Sequence, residues 1–187
     1  MCGFAGIYKK ETNRQDARQI QLVLNRMISA VHHRGPDGVG IWSDTDSGIG
    51  LAHKRLSIID LSPTGGQPME SHCQRYIISY NGEIYNYKNI RDDLENRNIR
   101  FRGTSDTEVL LESIAIDGLL HTLQKTNGMF AFALWDKKNG LLQLARDRIG
   151  KKPLYFGWAG NDFVFCSELK SILKHPEFRN EIDYEAL

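Results

Sequence analysis

Met1-Cys2-Gly3-Phe4-Ala5-Gly6-Ile7-Tyr8 decides how the chain reads. A cysteine directly behind the initiator is small enough to suit trimming of the Met. Trimming leaves a thiol and a free α-amine on one residue, a nucleophile and a base together, as in N-terminal threonine nucleophiles. A free thiol titrates at about 8.5 and an α-amine at about 7.7–8.0. An appreciable minority of the amine is therefore free base at neutral pH, and desolvation or a neighbouring Arg enlarges that fraction. With Met1 attached, the same nitrogen is an amide and accepts no proton, so cleavage is the activating step. The apolar run over residues 4–8 predicts a buried strand that holds the terminus rigidly. The plain alternative is a small residue that merely opens a strand. No apolar segment precedes Cys2, so a lipid anchor is not expected.

Outward from that stretch, 187 residues suffice for one domain with a substantial core, and 41% hydrophobic with 25% charged residues is ordinary globular composition. A net charge of +1 offers no field of one sign, which argues against nucleic acid or a membrane surface as partner. Cys2, Cys73 and Cys166 form neither a metal-ligand spacing nor an even disulfide set. A reducing cytoplasm is the expected compartment.

Ala17, Ile20, Leu24, Met27 and Val31 alternate spacings of three and four, predicting an amphipathic helix over about residues 16–31. It gives way to the polar loop His32-His33-Arg34-Gly35-Pro36-Asp37-Gly38. Short strands are predicted around 39–42, 50–53 and 76–80, with a long turn over 61–68. Helices are expected from Asn86 and from Ser105, where Ser105-Asp106-Thr107-Glu108 fits a capping box. The apolar stretch 129–135 reads as a strand covered on both faces. Asn139-Gly140 turns it back into 141–145. Strands over 154–158 and 163–166 and a short helix after Ser167 complete the pattern. Many strands joined by hairpins favour antiparallel sheets covered by helices over a parallel doubly wound sheet. Neither Gly65-Gly66 nor Gly150-Lys151-Lys152 fits the spacing of a phosphate loop, and both read as turns. The ending, residues 181–187, carries no stop signal and is expected to lead into something further.

Six stretches besides the opening recur in order: His33-Arg34-Gly35-Pro36-Asp37, Leu51-Ala52-His53-Lys54-Arg55-Leu56-Ser57-Ile58, Tyr80-Asn81-Gly82-Glu83-Ile84-Tyr85-Asn86, Thr104-Ser105-Asp106-Thr107-Glu108, Asn127-Gly128-Met129-Phe130-Ala131-Phe132-Ala133, and Arg146-Asp147-Arg148-Ile149-Gly150 with Lys152-Pro153-Leu154-Tyr155. Together they resemble class II glutamine amidotransferase domains, whose nucleophile is an N-terminal cysteine. The likeness covers essentially the whole chain. It is nearest to the amidotransferase half of glutamine-hydrolysing asparagine synthetases. Relatives that make glucosamine phosphate or phosphoribosylamine commonly carry an aromatic residue after the Arg of the His-x-Arg motif; here Leu56-Ser57-Ile58 follows Arg55.

The resemblance implies an α+β fold: a four-layer αββα sandwich of two antiparallel sheets flanked by helices, the N-terminal-nucleophile hydrolase fold. It implies a glutaminase domain over 1–187, cut before an ATP-dependent synthetase domain. Its reaction is hydrolysis of L-glutamine to L-glutamate and ammonia through a cysteinyl thioester on Cys2. The Asn81 side-chain amide and Gly82 N–H form the oxyanion hole, where losing one donor costs on the order of 10²–10³ in rate. A glycine at 82 is expected to let the backbone approach the substrate. Arg55 offers a planar fork to the α-carboxylate. Asp106, in the first turn of its helix, pairs with the ammonium, with Glu83 as a secondary candidate. Leu56, Ser57 and Ile58 line the pocket, partly through backbone groups.

Each of these residues also has a plain reading: a hairpin turn at Asn81-Gly82, a surface Arg55, a capping Asp106. Arg34 and Asp37 are expected to fix the terminus, and His53 to play a supporting role, because the α-amine already supplies a base. No metal or cofactor is expected in this domain; ATP and Mg belong to the synthetase domain, in cis or in trans. The acceptor of ammonia is aspartate or another carboxylate, and a homodimer stays open. The alternative functions are a glutamine-binding regulatory domain without turnover and a docking module. A different N-terminal-nucleophile amidohydrolase is disfavoured by Arg55 and Asp106 together.

Overall fold

A computed structural model of the chain describes residues 1–9 and 16–181. Strand β1 (Gly3–Lys9) runs through the middle of a five-stranded sheet, and helix α1 (Asp16–Ser29) covers one face. A single 3-10 turn, His32–Arg34, leads from α1 to the antiparallel pair β2 (Gly38–Asp44) and β3 (Ile49–Arg55). Then come β4 (Met69–Glu70), β5 (Tyr76–Ile84), α2 (Tyr87–Asn96), α3 (Asp106–Asp117), α4 (Leu119–Lys125), β6 (Gly128–Asp136), β7 (Leu141–Arg146), β8 (Tyr155–Ala159), β9 (Asp162–Cys166) and α5 (Leu169–Ile172). The first sheet has the order β2-β3-β1-β9-β8 and the second β4-β5-β6-β7. Every pairing is antiparallel.

The period-two alternation of each strand sorts side chains into layers. Phe4, Ile49, Leu51 and Phe165 of the first sheet meet Ile77, Ala131, Ala133 and Trp135 of the second in a shared inner core. On the outer face of the first sheet, Ala5 and Ile7 pack beneath Ile20, Val23, Leu24, Met27 and Val31 of the α1 segment. On the outer face of the second, Ile78, Tyr80 and Phe132 pack beneath Ile90 and Leu94 of α2 and Val109, Leu110 and Ile114 of α3. The four layers that the resemblance implied are therefore present. Leu24 is 0% exposed, and cutting it to Ala costs about 2–5 kcal/mol through transfer and cavity terms together.

β1 pairs with β3 on one side and β9 on the other. Its backbone is thus held at both edges and its side chains at both faces, which is why the residue just ahead of it is placed firmly. The predicted hairpin at Asn139-Gly140 is present between β6 and β7, with Gly140 at φ +61°. The plain alternative at Asn81-Gly82, a hairpin turn, is absent: β5 runs straight through it, pairing Asn81 with Ala131 and Gly82 with Phe130. One local expectation needs correction. The capping box is half made. Ser105 Oγ accepts from Glu108 N at 3.2 Å, but the Glu108 carboxylate turns away to Arg102 N (2.8 Å) and Gly103 N (2.9 Å). Helix α4 and the two-residue β4 had no clear signal; Gly118 at φ +83° breaks the helix that would otherwise continue from α3. The final stretch, where a join was expected, lies beyond residue 181 and outside the described residues.

Candidate active site

A cleft of about 160 Å³ opens between the start of β1, the loop after β3, the far end of β5 and the first turn of α3. Cys2, Arg55, Leu56, Ser57, Ile58, Asn81, Gly82, Glu83 and Asp106 all line it. The sequence placed these residues on separate motifs; the sandwich brings every one of them to one wall or another.

Cys2 is half-buried. Its Sγ accepts from Leu56 N at 3.3 Å and lies 3.5 Å from Leu56 O. Its carbonyl accepts from Arg34 Nε at 2.9 Å. Arg34 is held in turn by Glu168, 2.8 Å from Nη1, and Phe4 N donates to Ser167 Oγ at 3.0 Å. The start of β1 is thereby clamped by the segment following β9. Asp37 takes Ser57 N at 2.8 Å, so it shapes the loop beside the thiol rather than the terminus, and the Ser57 N–H is spent there rather than in the cleft. Burial pushes the Cys2 thiol up; the Leu56 N–H, the terminal amine and Arg55 pull against it without prevailing. Such a thiol is protonated at neutral pH and needs a base to become a nucleophile. Of the other thiols, Cys166 is buried and pushed up to about 12 by that burial, and Cys73 lies exposed outside the cleft.

Asn81 is 1% exposed, and its Nδ2 has no hydrogen-bond partner. Odd-numbered residues of β5 face the other sheet, as Ile77 does in the inner core and Ser79 does in donating to Ala52 O at 3.3 Å. Asn81 shares that face. A buried amide donor left unpaired costs about 1–3 kcal/mol, and it lies here on the wall of the cleft that also holds the thiol. Gly82 also answers a packing constraint within its own sheet. A Cβ there would sit 2.5 Å from Met129 O and 2.7 Å from Phe130 Cβ, so it is strand β6 that excludes a side chain.

Two charged side chains, Arg55 and Asp106, line the same cleft. The Arg55 guanidinium is half-buried and gripped by backbone: Nη1 donates to Ser62 O at 2.8 Å and Nη2 to Asp60 O. Each terminal nitrogen carries a second N–H for another acceptor. Asp106 is 5% exposed. Its Oδ2 accepts from Tyr80 OH at 2.8 Å and Ile84 N at 3.0 Å. Burial raises its pKa despite these bonds, and Glu83 adds to the rise. Glu83 itself is exposed at the rim, as is Ile58, 72% exposed. His53 is wholly buried, faces Tyr80 O at 3.0 Å, and is driven down to about 4 by burial. It stays neutral at physiological pH and does not line the cleft.

Some cleft residues escaped the sequence reading. Lys152 was read as part of a turn, yet it is 5% exposed on the cleft wall, with Nζ 3.4 Å from Met1 Sδ. A lysine wedged into a recurring stretch before Pro153 was the available signal. Gln67 lines the cleft too: its Oε1 accepts from Tyr80 N at 2.7 Å and its Nε2 donates to Thr107 Oγ1 at 3.2 Å. It bonds β5 just ahead of the short β4, and nothing local announces that. Asp60 is the third.

A family model described as a glutamine amidotransferase domain matches residues 1–187. Two curated proteins of Bacillus subtilis align over 100% of the chain: asparagine synthetase [glutamine-hydrolyzing] 3 at 39% identity, of which 30% is covered, and asparagine synthetase [glutamine-hydrolyzing] 1 at 42% identity, of which 29% is covered. The chain thus spans about a third of the length of these relatives. Among solved structures, the glutamine phosphoribosylpyrophosphate amidotransferase of B. subtilis superposes with a TM-score of 0.74 at 22% identity, covering 91% of this chain and 43% of that one. That likeness carries the fold.

Proposed function

The chain belongs to the glutamine amidotransferase domain family, and from that premise we propose how its cleft works and what it serves. The observation that carries the reading is the buried Asn81 Nδ2, without a hydrogen-bond partner, in a cleft that the Cys2 thiol, the Arg55 guanidinium and the Asp106 carboxylate also line. An amino acid with a side-chain amide complements all four. Its α-carboxylate pairs with the free N–H groups of Arg55, its ammonium with Asp106, and its amide oxygen with Asn81 Nδ2 and Gly82 N–H.

Removal of Met1, whose side chain is 59% exposed, frees the Cys2 α-amine. That amine takes the thiol proton as Sγ attacks the side-chain carbonyl carbon. The C–N bond breaks, the protonated amine returns its proton, and ammonia leaves a γ-glutamyl thioester. Water then attacks the thioester, with the same amine as base, and L-glutamate departs. The raised thiol pKa makes the intramolecular base necessary. No metal or organic cofactor enters these steps.

Ammonia is then passed to a synthetase domain, in cis or in trans, that uses ATP and Mg to activate aspartate or another carboxylate. The relatives' names and their greater length support this placement. We read the setting as a reducing cytoplasm, in keeping with three free cysteines; no described helix is long and apolar enough to cross a membrane. A glutamine-binding domain without turnover is not favoured. The test is glutamine hydrolysis by the Met-free chain and by Cys2→Ala. Release of glutamate is expected to fall by at least about 10³-fold in the variant, with its melting temperature unchanged. Full turnover by Cys2→Ala would falsify the mechanism.

A further inference from the structure

We propose that Asp60 is a positioning residue for substrate binding: it folds the loop that aims Arg55 and ties that loop to the start of α3, so that Arg55 and Asp106 keep a set separation. The inference rests on the reading of Arg55 and Asp106 as the two grips on the amino-acid head.

Asp60 is 6% exposed and its carboxylate is fully occupied. Oδ1 accepts from Ser62 N at 2.8 Å and Ser62 Oγ at 2.6 Å. Oδ2 accepts from Thr64 Oγ1 at 3.1 Å and Thr104 N at 2.9 Å. The first three bonds curl residues 60–64 into a compact turn. That turn presents the carbonyls of Asp60 and Ser62 side by side, and both accept from Arg55. The fourth bond crosses to Thr104, two residues before Asp106. Packing leaves no slack on either side. A Cβ on Gly65 would sit 2.3 Å from Arg55 Nη2, and one on Gly103 would sit 2.5 Å from Asp60 Oδ2. A carboxylate is what the place demands, because a neutral amide presents a donor to Thr104 N or to Ser62 N and loses at least one of the bonds.

The carboxylate's four hydrogen bonds go to Ser62, Thr64 and Thr104; the grip on Arg55 is made by the backbone it shapes. Losing it leaves the guanidinium chemically intact but free to wander, and a misplacement of about 1 Å is enough for a loss of about 10²-fold. The reacting atoms are untouched, so the loss belongs in binding.

The experiment is a kinetic cycle on the Met-free chain with Asp60→Asn, Arg55→Ala and the double variant, active sites counted by thiol alkylation. Asp60→Asn is expected to raise KM for glutamine about 10- to 100-fold with kcat within about 3-fold. In the Arg55→Ala background the same change is expected to add less than about 2-fold in kcat/KM, since the two share one interaction. Thr64→Val, which removes one bond to the carboxylate and the Ser62 Oγ–Thr64 Oγ1 bond beside it while keeping the carboxylate, is expected to raise KM in the same direction by about 2- to 5-fold. That milder variant decides the matter if Asp60→Asn does not fold. A normal KM in Asp60→Asn or, failing that, in Thr64→Val overturns the inference, as does a loss confined to kcat or full additivity with Arg55→Ala. A normal KM in Arg55→Ala overturns the reading of the site and the inference with it.

Discussion

Asp60 and Asp106 are both buried and both line the cleft; Asp60 bonds Thr104 just ahead of α3 and Asp106 is the first residue of α3, yet the protein treats them oppositely. Burial alone would raise either one. At Asp60, the bonds from Ser62, Thr104 and Thr64 outweigh burial and hold the carboxyl well below the usual range. At Asp106, the bonds from Ile84, Tyr80 and Thr107 do not, and the carboxyl sits above it. A carboxylate satisfied from within is part of the frame. One that burial leaves above that range is, on the proposed function, the one that meets the substrate's ammonium.

Asp106→Asn is the largest test of that contrast. Losing one partner of a buried charge pair costs about 2–5 kcal/mol, so kcat/KM for glutamine is expected to fall between about 30-fold and several thousand-fold, mostly through KM. The ligand-free protein should melt no lower at neutral pH. A folded pKa raised above the unfolded one stabilises below the unfolded pKa of about 3.9, and that contribution is lost as pH rises through the folded value. Removing Asp106 therefore removes a neutral-pH liability. A large fall in melting temperature with unchanged KM would move Asp106 into the frame.

Arg34→Ala sharpens the contrast from a third direction. Arg34 holds the Cys2 carbonyl and touches neither charged grip in the contacts above. A fall in kcat of about 10- to 100-fold with KM within about 2-fold is expected; a KM effect as large as that of Arg55→Ala would contradict it.

Asp60→Asn predicts the converse of Asp106→Asn in stability: a loss of about 1–3 kcal/mol at pH 7 from buried bonds left unmade. Its folded pKa is depressed, so its contribution is present above about 3.9 and disappears as pH falls toward the folded value. Denaturant melts of both proteins are expected to converge on acidification below pH ~4. A constant gap down to pH ~2 would break the assignment. The smallest expected effect is at His53. Held near 4 by burial, its ring proton signals are expected to stay unshifted by NMR between pH ~5.5 and ~8, with no corresponding step in the kcat/KM profile.

The helices and strands were legible because they rest on periodicity; their stacking into four layers came from the resemblance. The 3.6-residue rhythm of Ile20, Leu24 and Met27 and the unbroken apolar 129–135 have few alternative solutions. The cleft was legible residue by residue only through the recurring stretches, since Arg55 and Asp106 are 51 positions apart and only the sandwich shows that they face one site. Asn81-Gly82 shows the weakness of local signals: a strong turn dipeptide lies mid-strand because β6 needs a glycine opposite Phe130. Asp60 and Gln67 were invisible because their roles are long-range hydrogen bonds, to Thr104 and Thr107, with no spacing rule to betray them. Glu108 fitted a capping rule and was claimed instead by Arg102, Gly103 and His72.

The most direct measurement is peptide-resolved mass spectrometry of the Met-free chain after exposure to a diazoketone analogue of glutamine. One adduct per chain on Cys2, suppressed by excess glutamine, is the result expected. An adduct on the exposed Cys73 with Cys2 unmodified, or none at all, would contradict a nucleophile at Cys2 in the cleft it shares with Arg55 and Asp106.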